Sequence, residues 1–380
     1  MKAISTILRA IFGAVFIFSG FVKAVDPWGT AYKIEDYLSA FSMSGLVDIM
    51  PWLPVVASVI LCSMEFMIGV LMFFGFYRKP IKILAAVTMA FFTVLTLVDA
   101  ITNRVDDCGC FGDAIKLTNW ETFWKNVVLD VILVLIFLCE RKINFVRSKV
   151  NSNLLSPIFA LLILSFAIYS SIYEPVIDFR AWKIGNQMVP VGEDVTPPES
   201  FASYKNNASG QIKEFNTEDL MKEFEKNPSF ASEWTFVDSR VVNTNTVAAD
   251  GFSLQALGFD EDETFDIISD TSSALFMITT YDVTKASDKG VKRVVEFANK
   301  ALENAQRVIL VTASSEENCT TFIEKYDISN ILIYTSDDKS IKTILRSNPG
   351  VIKIVKGKVE NKWSWRNLPS SEEYFKAEKE

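Results

Sequence analysis

The chain has 380 residues, of which 49% are apolar and 30 are Phe, and its mean hydropathy of +0.22 is too high for a protein that is soluble throughout. It contains no histidine, which excludes Ser-His-Asp and Cys-His catalysis, His-ligated haem and imidazole-dependent zinc sites. A net charge of −8 and a pI near 5.0 leave no support for a polybasic nucleic-acid role. The charge is unevenly spread: up to Tyr173 there are 14 Lys and Arg against 12 Asp and Glu, and beyond it 24 against 34. This is the pattern of a membrane half joined to an acidic soluble half.

Five apolar runs, near 4–25, 53–76, 82–103, 123–140 and 154–173, can each cross a hydrocarbon core of ~30 Å. No small-x-small cleavage site closes the first run at Lys23-Ala-Val-Asp26, so it is expected to be a retained helix. Basic residues resist translocation, and they flank alternate loops: Lys2 and Arg9, then Arg78, Lys79 and Lys82, then Arg141, Lys142, Arg147 and Lys149. The N terminus is therefore expected in the cytoplasm. Loops 26–52 and 104–122 and the soluble half face outward, into the periplasm if the chain sits in a bacterial inner membrane, where thiols meet an oxidising environment.

Ionisable residues within spans are costly and become functional candidates. Counted from the span ends, Arg9 and Glu65 lie at similar depths, which predicts an ion pair between antiparallel neighbours; an architectural clamp is its plain reading. Lys23, Asp99 and Asp130 fall towards the outer ends of their spans and could form one polar cluster beneath the outer loops. Interfacial snorkelling accounts for Lys23 and Asp99 without any function.

Cys62 and Cys139 sit on apolar helices as small hydrophobes. Cys108 and Cys110 lie in the outer run Asp107-Cys-Gly-Cys-Phe-Gly-Asp113, where one intervening glycine lets the backbone bend enough to close a small, exchangeable disulfide ring. A fixed structural disulfide is the plain alternative. Two cysteines do not complete a metal site, and no metal ligand set is assigned.

The run Cys108 to Asp113, followed by Ile115-Lys-Leu-Thr-Asn-Trp120 and Thr122-Phe-Trp-Lys-Asn126, resembles the DoxX/MauE group of small membrane proteins. Arg9-Ala-Ile-Phe-Gly13, Phe18-Ser-Gly20 with Lys23, and Glu65 with Gly69 and Gly75 extend the resemblance over about residues 1–145. It implies an all-α four-helix membrane domain with a redox-competent outer cysteine pair. The group is associated with quinol-linked oxidation and, for MauE-like members, with disulfide formation in exported proteins. Residues 146–175, holding the fifth span, and the outer domain are additions to that unit.

Beyond it, 176–200 is aperiodic and contains Pro, and is expected to be a linker to an outer domain over 201–380. There a hairpin at 201–215, a helix at 217–226 and a strand at 234–242 precede an alternation of strands and helices from Ala274 to Trp363. Ser287, Ser314 and Ser336 are expected helix caps. The alternation argues an α/β fold. The order, with Pro349 before an apolar strand, is similar to thioredoxin-like domains of the TlpA type. That resemblance implies a cis bond at Pro349, facing a Cys-x-x-Cys pair. Here the stretch Tyr281 to Ser287 holds no cysteine, and Cys319 is alone in its helix, so dithiol exchange is not expected of this domain.

Two functions follow. In the first, Cys108 and Cys110 pass electrons between an exported protein and a membrane quinone, with Lys23, Asp99 and Asp130 handling protons and the outer domain recruiting the partner. In the second the cysteines are a fixed staple and the chain is a non-enzymatic, lipid-embedded scaffold whose outer domain binds an envelope protein. Transport along Glu65, Asp99 and Asp130 is a third, weakened by the lack of internal repeats.

Overall fold

The computed structural model describes residues 2–103, 105, 109–140, 152–191, 199–227, 229–242 and 251–377. It divides into two compact units, 1–180 and 181–380.

The first unit is helical: α1 (Lys2–Val25), α2 (Pro27–Ala40), α3 (Gly45–Ile49), α4 (Leu53–Phe74), α5 (Arg78–Thr102), α6 (Asn119–Glu140) and α7 (Ser152–Ile172). All but α2 and α3 are long and apolar enough to cross a membrane. Among the buried residues of α1 are Ser5, Arg9, Phe12, Phe16, Ser19 and Lys23. Their alternating spacing of four and three draws a single inward seam. Ile4, Ile7, Ile11 and Phe18 are left exposed on the lipid side. The seam is polar at both ends and apolar between, where Phe12 and Phe16 join Ile68, Met72, Ile81, Met89, Leu133 and Ile136 in a closed core.

Helices α1 and α4 meet at small residues. A Cβ added at Gly20 would lie 2.4 Å from the Phe66 nitrogen, and one at Gly69 2.5 Å from the Ile17 nitrogen. This backbone-to-backbone approach fixes the register and leaves Arg9 beside Gly75. Segment 26–52, expected as an outward loop, contains a 14-residue helix. Asp26 caps α2 by accepting from the Gly29 N–H at 3.1 Å, and Pro27 occupies its first turn. Trp28 Nε1 donates to the Ser171 carbonyl and Ser58 Oγ to the Pro27 carbonyl, which tie α2 to α7 and α4.

The second unit holds two sheets. The smaller, ordered β2-β1-β3, is built from β1 (Glu199–Asn206), β2 (Ile212–Asn216) and β3 (Trp234–Val242), with α8 (Thr217–Lys226) and the short α9 (Phe230–Glu233) beside them. Phe215 and Phe230 are buried there among Tyr204, Phe224 and Trp234.

The larger sheet has the order β4-β7-β6-β5-β8-β9. Its elements run β4 (Gln255–Ala256), α10 (Thr264–Ser269), β5 (Leu275–Thr280), α11 (Asp288–Glu303), β6 (Arg307–Thr312), α12 (Glu316–Tyr326), β7 (Leu332–Thr335), α13 (Asp338–Ile344), β8 (Gly350–Val355), β9 (Lys358–Ser364) and α14 (Ser371–Ala377). Strands β5, β6 and β7 are parallel, and β4, β8 and β9 add antiparallel. Period-two alternation splits each central strand between two cores. Phe276, Ile278, Val308 and Leu310 pack with Val294 and Phe297 of α11, and Leu275, Met277, Ile309 and Val311 pack with Ile341 and Ile344 of α13.

Residues 181–191, expected as linker, belong to this second core. Trp182, Met188 and Val189 are buried in it. The backbone of 185–188 pairs with that of 357–359, Met188 N donating to Gly357 O at 2.7 Å and Gly185 N to Val359 O at 2.8 Å. A short aperiodic stretch with one Trp carries no strand pattern, yet it caps an otherwise open sheet edge. The cap of α12 is Ser315 rather than Ser314, and that of α13 is Asp337 rather than Ser336; Ser287 caps α11.

Candidate functional site

The loop that carries Cys110 rests on a buried ion pair. Cys108 lies outside the described residues. Cys110, half-buried, begins a turn in which Gly112 N donates to Gly109 O. Gly109 and Gly112 both have positive φ, and a Cβ on Gly112 would press on Val22 Cγ1 at 3.2 Å. Phe111 lies tilted against Phe18 at 5.4 Å between centroids and receives Lys125 Nζ over its face at 4.6 Å.

Directly beneath, Lys23 Nζ donates to both carboxylate oxygens of Glu65 at 2.7 Å, and both side chains are almost wholly buried. Ser19 Oγ lies 2.9 Å from Glu65 Oε2, 2.8 Å from the Cys110 carbonyl and 3.3 Å from Lys23 Nζ. A hydroxyl has one proton to donate. The carboxylate in the bundle and the carbonyl of the cysteine loop therefore compete for it. An exchange that changes the demand of either acceptor is felt by the other.

The expected Arg9–Glu65 pair is thus corrected. Arg9 Nε lies 3.3 Å from Glu140 Oε1, and Glu65 belongs to Lys23. Depth counted from span ends misled because α1 runs about two turns past the end of α4, which puts Arg9 level with Gly75. Glu140 also takes Lys82 Nζ at 2.8 Å and Ser5 Oγ at 3.1 Å. Glu140 is on the buried seam of α6, seven residues beyond Leu133 and four beyond Ile136. That spacing was the available signal, hidden by the basic residues that follow.

The expected cluster of Lys23, Asp99 and Asp130 is divided among different partners. Asp99 accepts from the Tyr37 hydroxyl of α2, and Asp130 from Thr93 Oγ1 at 2.7 Å. Asn126 Nδ2 donates to Thr96 Oγ1 at 3.1 Å between them. The result is a polar ladder along the half of the α5–α6 contact nearer the cysteine loop, ending at the apolar core of Met89, Leu133 and Ile136.

A segment after α7 folds over the same end of the first unit. Arg180 is 5% exposed and pairs with Asp178 at 2.7 Å and Glu174 at 3.2 Å. Burial opposes its charge, but Asp178, Glu174 and Asp26 outweigh it and hold the guanidinium pKa above its ordinary value. A small cleft there is lined by Val22, Asp26, Asp113, Ile177, Phe179 and Arg180. Sequence reasoning missed Arg180, Ser19 and Tyr37, each a common polar residue in an unpatterned context.

In the second unit the Asn348–Pro349 peptide is cis, and Ser287 N donates to Asn348 O at 3.3 Å. The stretch Tyr281 to Ser287 lies against this dipeptide, Asn348 Nδ2 donating to the Asp282 carbonyl at 2.9 Å, and Gly290 in the first turn of α11 faces Pro349 itself. A Cβ on Gly290 would fall 2.8 Å from the Trp365 ring and 3.0 Å from Pro349 Cδ. The indole occupies the space a side chain at 290 would need. Cys319 is fully buried, and burial with nearby Glu316 pushes its thiol pKa up, away from reactivity.

Residues 1–139 match the family model described as "Methylamine utilisation protein MauE". The chain is also 26% identical over 187 residues to Protein TlpB of Flavobacterium psychrophilum, an alignment that covers 48% of each chain. The chain thus spans about half the length of that relative. Together with the five apolar helices, these matches make it a multi-pass membrane protein with a MauE-like domain.

Proposed function

We propose that the chain is a membrane thiol–disulfide oxidoreductase whose working pair is Cys108 and Cys110. One observation carries this reading: the Cys110 carbonyl shares a hydroxyl proton with a buried Lys23–Glu65 pair. A loop needing only to be stapled has no use for a desolvated ion pair beneath it, since such a pair costs several kcal/mol to bury. The MauE-like match over 1–139 and the likeness to Protein TlpB support a membrane-associated redox role.

Oxidation of the two thiols forms one Sγ–Sγ bond and releases two electrons and two protons. A membrane quinone, becoming quinol, is the acceptor that balances the step. The aromatic faces of Phe18, Phe92 and Phe111, with Lys23 Nζ 5.5 Å from the Phe92 centroid, suit a flat ring bearing carbonyl oxygens. The disulfide reopens when a thiolate of an exported dithiol protein attacks it, and that protein leaves oxidised. Asp99 and Asp130 supply proton acceptors, and the Lys23 ammonium a proton donor. In this reading the chain lies in a bacterial inner membrane with its N terminus cytoplasmic and the cysteine loop and second unit in the periplasm, as the basic residues flanking alternate loops suggest.

The second unit, read as a thioredoxin-like domain of the TlpA type, recruits the partner. Its strand order, with β5, β6 and β7 parallel and β8 and β9 antiparallel, supports that fold. Filling of the Gly290 position by Trp365, with no cysteine in Tyr281 to Ser287, favours binding over dithiol chemistry in this unit and is the support for the scaffold reading. Transport gains nothing from a polar ladder that stops at an apolar core.

Alkylation-shift trapping in intact cells, with Cys62, Cys139 and Cys319 replaced, tests the proposal. A Cys108/Cys110 population that moves with quinone depletion supports it. A pair locked in one state under all conditions overturns it in favour of the scaffold.

A further inference from the structure

We infer that the end of the helix bundle opposite the cysteine loop holds the phosphate of an anionic phospholipid. Three cations gather there on one carboxylate. Arg9 and Lys82 use both oxygens of Glu140, which also accepts from Ser5. Arg78 joins them: a Cβ on Gly75 would meet Arg9 Nη1 at 1.9 Å and Arg78 Nη2 at 3.3 Å, so both guanidiniums lie over the same glycine. Arg9 is 4% and Lys82 9% exposed.

The charge is unbalanced where imbalance is expensive. Arg9 Nη1 is buried with no hydrogen-bond partner among the described residues, and leaving a charged donor so costs several kcal/mol. An anion from outside the protein would satisfy that nitrogen. A phosphodiester has the acceptor oxygens that two guanidinium groups can share. Phe73 and Phe74, directly before Gly75, are 42% and 50% exposed and offer apolar surface to an attached acyl chain. That surface favours a lipid over free phosphate.

Native mass spectrometry of the full chain, delipidated in mild detergent and titrated with phosphatidylglycerol, phosphatidylcholine or inorganic phosphate, tests the inference. Phosphatidylglycerol should be retained preferentially. Arg78→Gln should weaken it about fivefold, the equivalent of ~1 kcal/mol per basic residue, and leave phosphatidylcholine unchanged. Glu140→Gln, which frees more cationic charge, should tighten phosphatidylglycerol, a gain that misfolding does not mimic. Equal retention of both lipids, a preference untouched by both substitutions, or inorganic phosphate competing at equal concentration would each overturn it.

Discussion

Lys23 and Glu65 are worth more to each other than to the fold. In a site from which water is excluded, removing one partner strands the other's charge, which typically costs 3–5 kcal/mol, whereas removing both can be nearly neutral. Glu65→Gln should therefore lower the thermal midpoint sharply, and adding Lys23→Met should restore much of it; a double variant worse than the single would show that the pair itself holds the bundle together. Ser19 separates stability from chemistry. Ser19→Ala removes a small hydroxyl, with a stability loss of about 1 kcal/mol, but unties the Cys110 carbonyl from Glu65. Its midpoint should stay near wild type while the alkylation rate of Cys110 changes severalfold, and an unchanged rate would remove Ser19 from the proposed coupling.

At the scale of elements, the α1–α4 seam and the α11 terminus make separate predictions. Gly20→Ala places a methyl 2.4 Å from backbone, so the helices must separate; overpacking of this kind costs about 1–3 kcal/mol. Gly45→Ala, with nothing within 4 Å, should be silent, and comparing their unfolding midpoints checks the register. Asp288 in the first turn of α11 accepts from Lys292, Tyr326 and Lys325, which lower its pKa from 3.8 to about 2. A depressed folded pKa means stability that is fully present above the unfolded value and lost as pH falls through the folded one. The midpoint difference between wild type and Asp288→Asn should thus be constant above about pH 4 and vanish towards about pH 2.

Elements whose own residues dictate them were legible. Strand β3 and helix α8 appear at the bounds the sequence implies, because periodicity is a local signal. Arg9–Glu140 and Lys23–Glu65 were not legible, since which residues of two helices meet depends on how far one slides past the other. Gly13, Gly20 and Gly69 set that slide by backbone contact, which no periodicity encodes. Helix α2 was missed for a related reason: its buried residues are Pro27 and Ala31, too few to draw an apolar stripe.

For the whole molecule the division falls at Arg180 and Ala181, not within an extended linker. Arg180 is committed to Asp178 and Glu174 in the first unit, while two residues on Trp182 is fully buried in the second. A soluble fragment beginning at residue 201 would lose Trp182, Met188 and Val189 from its core and the strand-like cover of 185–188 on β9. Each large apolar side chain contributes roughly 1.5–3 kcal/mol on burial, and a whole domain is stable by only about 5–15 kcal/mol. A fragment from Ala181 should therefore unfold cooperatively on heating, and one from Phe201 should be largely unfolded or aggregated at the same temperature. Matching melting curves for the two would place the boundary further along the chain and return 181–191 to the role of a tether.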